Sequence, residues 1–195
     1  MINLQPISKE SLILKRRKIL TMEKWDLYTK DRVLTGKTIT RGEEIPKGFY
    51  HLAVTTCIFN SKGEMLIQHR VPFKDDWANF WDLSCGGSAI SGDTSQTAAE
   101  REAFEELGLK INLENERPTL INLFDEGFDD VYVLNMDVDL STLKLQPEEV
   151  QNVKWASKEE IFSMIDDGSF IPYHKSWIDI LFYRSKIRSN KIFGN

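Results

Sequence analysis

The chain has 195 residues, 41% of them hydrophobic and 28% charged, the size and composition of one globular domain with room for a tail rather than of a disordered or collagen-like chain. Its longest apolar runs fall far short of the roughly 20 residues that span a bilayer, so no membrane association is expected. With 25 Lys and Arg against 30 Asp and Glu, the net charge is −5, which disfavours nucleic acid as a partner but leaves open a phosphorylated small molecule accompanied by a divalent cation.

Near the amino terminus Lys15-Arg16-Arg17-Lys18 is basic, but only Ile19 and Leu20 follow before polarity returns. A secretory leader needs an apolar stretch of about 7–15 residues, so residues 1–21 read as an extension, either a solvated helix face or a flexible tail. The domain is expected over 22–195, with Met22 as a candidate start. Trp25 to Tyr28 alternates in polarity like an edge strand, and Asp31 to Gly48 is polar and turn-rich. His51 to Phe59 is β-branched and apolar, a buried strand. It turns at Asn60-Ser61-Lys62-Gly63 into a returning strand over Met65 to Arg70. A third short strand is expected from Phe80 to Cys85.

Thr94 to Leu107 is the clearest helix, with Asp93 or Thr94 as N-cap and Gly108 closing it. Strands follow at 119–124, 130–138 and 153–156. Ser157-Lys158-Glu159-Glu160 forms a capping box for a helix ending before Gly168, and a last helix spans about His174 to Ile187. Strands mixed with a few helices imply an α/β (α+β) domain with helices against a mixed sheet. Cys57 and Cys85 have no disulfide or zinc spacing and read as buried thiols of a reducing compartment, which points to a cytoplasmic location.

The chemistry gathers on the helix. At 100° per residue, Glu102, Glu105 and Glu106 fall within an arc of roughly 100°. Ala99, Ala103, Phe104 and Leu107 form the expected core face, and Glu100 points elsewhere as ordinary surface. Arg101 lies one turn from Glu105. Adjacent carboxylates repel by about 1–4 kcal/mol per pair, depending on effective dielectric. Either they are a solvated face with one salt bridge, or they hold a hard divalent cation such as Mg²⁺ or Mn²⁺.

The preceding loop bears on that choice. Gly87 is followed by five residues, Asp93, seven residues and Arg101-Glu102; Glu105, Glu106, Gly108 and Leu109 complete the series. This closely resembles the Nudix box: Gly, five residues, Glu, seven residues, Arg-Glu, aliphatic, any, Glu-Glu, any, Gly, aliphatic. Asp93 stands where the family has Glu, and Ala103 replaces a larger aliphatic residue. The resemblance implies a Nudix-type α/β/α sandwich and cleavage of a diphosphate linkage in a nucleoside diphosphate derivative or related pyrophosphate. It further implies Glu102 and Glu106 as Mg²⁺ ligands (Mn²⁺ as substitute), Glu105 as a direct or water-bridged ligand, and the carbonyl of Gly86 or Gly87 completing the shell. Arg101 orients a box carboxylate. Glu102 or a downstream acid takes the proton of the attacking water; Glu149, just before Trp155, matches the family spacing better than Glu148. Glu126, Asp129 and Asp130 are rivals for that role.

Phe73, Trp77, Phe80, Trp81, Phe124 and Phe128 flank the box, as core or as a stacking surface for a planar group. Isopentenyl-diphosphate isomerase is similar in the segments around His51-Leu52-Ala53 and Ser84-Cys85-Gly86, and would use Cys85 on an alkene. The isomerase-type His after that Cys is absent, since Gly87 and Ser88 stand there. A non-catalytic ligand sensor is the remaining alternative. The oligomeric state stays open, a homodimer included.

Overall fold

The computed structural model describes residues 23–187; the basic cluster and the expected extension lie outside them. Within these residues the strands are β1 (Lys24–Tyr28), β2 (Leu34–Thr40), β3 (His51–Phe59), β4 (Met65–Arg70), β5 (Trp81–Asp82), β6 (Cys85–Ser88), β7 (Leu120–Phe124), β8 (Gly127–Asn135) and β9 (Val150–Ala156). The helices are α1 (Ser95–Leu107), α2 (Lys158–Asp166) and α3 (Lys175–Lys186). Strands β1 and β2 form a small antiparallel sheet. The other seven form a mixed sheet in the order β5-β4-β3-β8-β7, with β6 also paired to β3 and β9 to β4.

The central strand β3 explains the layering. It runs parallel to β8 in unbroken register from His51↔Gly127 to Phe59↔Asn135. Successive side chains leave opposite faces. Leu52, Val54 and Ile58 point to the face covered by α1, where they meet Ala98, Ala99, Ala103 and Leu107. Cys57 and Phe59 point to the other, where Ile161 and Met164 of α2 and Ile178, Leu181 and Phe182 of α3 close the core. Each buried Val, Leu, Ile, Met or Phe among them contributes about 1.5–3 kcal/mol. The result is the expected α/β/α sandwich.

Helix α1 starts at Thr94, whose Oγ1 accepts from Thr97 N, and ends at Gly108 in the left-handed region, φ 67°. The capping box at Ser157 and the turn at Gly63, φ 78°, also form as expected.

Four expectations need correction. Asp31 to Gly48 contains β2, a strand concealed by its exposed, polar sequence. The stretch from Phe80 to Cys85 is two strands on different partners: β5 pairs with β4 and β6 with β3. Between them, Ser84 Oγ donates to Leu66 O at 2.6 Å and accepts from Ile58 N at 2.8 Å, bridging the gap where β3 and β4 diverge. Phe104 is 52% exposed, because the buried arc of α1 is centred on Ala99, Ala103 and Glu106 and leaves Phe104 at its margin. Glu100 is no ordinary surface residue: its Oε1 accepts from Leu113 N at 2.6 Å and ties down the loop after the helix.

Candidate active site

The loop from β6 into α1 is fixed by Arg101. Its Nε and Nη2 donate to Asp93 Oδ2 at 3.1 and 3.0 Å, and Nη2 also donates to Ser88 O at 3.1 Å. Nη1 reaches Glu102 Oε1 at 2.8 Å and Glu105 Oε2 at 3.2 Å. One guanidinium therefore joins the strand end, the loop and two carboxylates, which its planar fork of donors permits. Asp93 additionally accepts from Ile90 N at 3.2 Å, so the shorter acid still braces the loop. Gly87 is required by close approach: a Cβ there would lie 2.6 Å from Glu102 Oε1.

Glu106 points inward, 3% exposed. Its Oε2 accepts from Gln68 Nε2 at 3.0 Å and from Gly86 N at 3.3 Å. Lys74 Nζ lies 4.0 Å from Glu106 Oε1 and forms an ion pair with Glu149. Burial pushes the Glu106 carboxyl up to about 8; Lys74 opposes the rise, and Glu102 and Glu149 add to it. Burial also raises Glu102, against the pull of Arg101. A cavity of about 80 Å³ is lined by six glutamates (Glu23, Glu102, Glu105, Glu106, Glu148 and Glu149) and two cations, Arg41 and Lys74. Arg41 itself is paired with Glu23 at 2.7 Å.

This donor set suits a hard divalent cation: carboxylate oxygens, a strand backbone at Gly86 and Gly87, and too little positive charge of its own. Among the described residues no three acidic, His or Cys side chains are already gathered as ligands. Arg101 and Lys74 occupy the carboxylates instead.

The structure brings Glu102, Glu105, Glu106, Glu149 and Gly86 to one cavity, with Arg101 beside it. Glu148 joins them, 2% exposed. The rival acids lie elsewhere: Asp130 is gripped by both terminal nitrogens of Arg32 at 2.7 Å, Glu126 is in the exposed β7–β8 turn, and Asp129 faces a different cavity. Lys74 and Gln68 were not expected. Gln68 left only the faint signal of a polar residue directly after the apolar run Met65-Leu66-Ile67; Lys74 left none.

The isomerase-like segments take structural places. His51 stacks on Trp25, ring centroids 4.4 Å apart, and burial lowers its pKa to about 4. Cys85 is 2% exposed beside Ile58, Leu66, Ala103 and Leu107, and burial raises its thiol well above the usual range. Trp81 stacks on His69 at 4.6 Å, while Trp77 is 47% exposed.

A three-layer sandwich presenting an Arg-braced, glycine-anchored carboxylate helix at one end of its sheet is the Nudix architecture. The Nudix domain model matches residues 49–178. An uncharacterised Nudix hydrolase of Listeria monocytogenes is 51% identical over 152 residues, 78% of this chain and 90% of that protein. The crystal structure of DR0079 from Deinococcus radiodurans superposes with a TM-score of 0.64 at 25% identity, covering 82% of this chain and 97% of that one. An isopentenyl-diphosphate Delta-isomerase of Photorhabdus laumondii is 27% identical over 63% of this chain and 71% of its own length. The chain belongs to the Nudix family and is a Nudix hydrolase.

Proposed function

We propose that the protein is a cytoplasmic, Mg²⁺-dependent pyrophosphohydrolase, with Mn²⁺ as substitute, that cleaves a diphosphate linkage in a nucleoside diphosphate derivative or related pyrophosphate. The observation that carries this reading is the cavity in which six glutamates face two cations. Glu102 and Glu106 would hold the metal, with Glu105 and the carbonyl of Gly86 as further ligands. When bound, a divalent cation supplies positive charge against the phosphoryl oxygens. Arg101 keeps Glu102 and Glu105 in place, Lys74 orients Glu149, and Glu102, Glu105 or Glu149 takes the proton from the attacking water. Assay of nucleotide sugars, dinucleotides, nucleoside triphosphates and isoprenoid diphosphates tests the reading. A monophosphate and a second product should form with Mg²⁺ and disappear with chelator; no cleavage of any compound contradicts it.

The raised Glu106 carboxyl makes metal binding pH-dependent. In metal-free protein, a folded-state pKa lifted from 4.5 to about 8 contributes stability that is complete below the unfolded value and lost as pH rises through the folded one. A cation requires the ionised carboxylate. Mg²⁺ should therefore raise the melting temperature more at about pH 8.5 than at about pH 5.5; equal increments by scanning fluorimetry would contradict this.

The buried Cys85 thiol disfavours isomerase chemistry. Cys85→Ser should keep hydrolytic turnover within about threefold, with a stability cost of about 1–2 kcal/mol for the buried hydroxyl. Abolished turnover in a folded variant would instead place the thiol in the reaction.

A further inference from the structure

A second cavity, about 430 Å³, shares Arg41, Lys74, Gly86 and Gly87 with the carboxylate cavity. Its floor follows from strand register. Ser88, Ala53, Asp129 and Asn122 succeed one another across β6, β3, β8 and β7, on the face opposite α1. Neighbours in register project to one face. Ser88 and Ala53 are too small to fill the space above them, so the row is a trough with Asp129 and Asn122 at its far side. With strands about 4.8 Å apart, Asp129 stands about 10 Å from Ser88, a distance suited to the part of a substrate attached to its diphosphate.

Asp129 is only half satisfied. Its Oδ2 accepts from Thr55 Oγ1 at 3.1 Å, while its Oδ1 has no hydrogen-bond partner among the described residues. The other acids nearby are satisfied: Asp130 by Arg32, and Asp82 by Arg70 at 3.1 Å and Tyr173 at 2.9 Å. Burial pushes the Asp129 carboxyl up to about 6; Thr55 opposes the rise, and Asp130 and Asp82 add to it. Above that pH Asp129 is an acceptor only. The broad torsion of its terminal bond lets either oxygen turn from Thr55 to the cavity. A buried acceptor of this kind is relieved by a donor and penalised by hydrocarbon.

We infer that this trough seats the portion of the substrate that is not cleaved, and that Asp129 is its specificity-determining acceptor, selecting a moiety with adjacent hydroxyl donors over a hydrocarbon tail. The inference rests on the diphosphate-cleaving reading above. Those hydroxyls can belong to a ribose or to a second sugar, so UDP-glucose and CTP serve as separate probes, with isopentenyl diphosphate as the hydrocarbon one.

Steady-state kinetics with Mg²⁺ and metal-free calorimetric titration of UDP-glucose and CTP test it together. Wild-type protein should favour a hydroxylated probe over isopentenyl diphosphate by at least about tenfold in kcat/KM. Asp129→Leu should erase that preference through KM, with kcat nearly unchanged. Asp129→Asn should recover part of it, and Ala53→Leu, which fills the floor, should reproduce the KM defect. If wild type cleaves a hydroxylated probe but Asp129→Leu and Ala53→Leu leave KM unchanged, the inference falls and the hydrolase reading stands. A preference for isopentenyl diphosphate overturns it as well. If nothing is cleaved, the hydrolase reading falls. Calorimetry then decides for the trough: weakening by both variants supports it, and absent or unaltered binding overturns it.

Discussion

Glu106→Gln should lower kcat by at least about 10²-fold while leaving the fold intact. The carboxylate is buried and lies at the meeting point of α1, β4 and β6, where Gln68 Nε2 and Gly86 N both donate to its Oε2. An amide oxygen in the same position still accepts from both, so the local geometry survives. What is lost is the negative charge on the most deeply buried glutamate of the α1 ridge. Because burial works against that charge in metal-free protein, removing it should leave the denaturation midpoint at neutral pH unchanged or raised. Kinetics paired with urea unfolding check both halves. A near-normal kcat would remove Glu106 from the mechanism.

Arg101→Ala should cost about 3 kcal/mol of stability and at least about tenfold in turnover. The guanidinium, 20% exposed, holds Asp93, Glu102 and Glu105 at once. Its removal leaves Asp93 and Glu102 partly buried without their cation and frees the loop between Ser88 and α1. Arg101→Lys should restore less than half of either loss, since an ammonium cannot span four acceptors arranged around a planar fork. Denaturant unfolding and steady-state assays measure this. A stability change for Arg101→Ala within about 0.5 kcal/mol, the level of an ordinary surface substitution, would show that the network is dispensable.

The helix was legible because local signals agreed there. Thr94 and Gly108 bracket it, and its three glutamates recur at helical spacing. Sequence periodicity could not say how wide the buried arc would be. The arc reaches Glu106 and stops short of Phe104, since small alanines bring the helix backbone close to β3 and β6. Strand β2 escaped notice because its pairing to β1 buries little apolar surface. The split between β5 and β6 depends on where β3 and β4 part, which only the assembled sheet decides. Lys74 was invisible for a similar reason: it sits in a loop with no periodicity, and its importance comes from Glu106 and Glu149, residues far along the chain. Asp129 reads in sequence as one acid of an acidic loop, but register with Ala53 places it on the sheet face opposite α1.

As a pyrophosphohydrolase of the kind proposed, the protein holds a divalent cation on the carboxylate ridge of α1. The most direct measurement is anomalous diffraction from crystals soaked in manganese. A peak is expected within coordination distance of Glu102 and Glu106, and it should vanish in Glu106→Gln. Manganese bound elsewhere, with Arg101 and Lys74 still holding the ridge carboxylates, would contradict it.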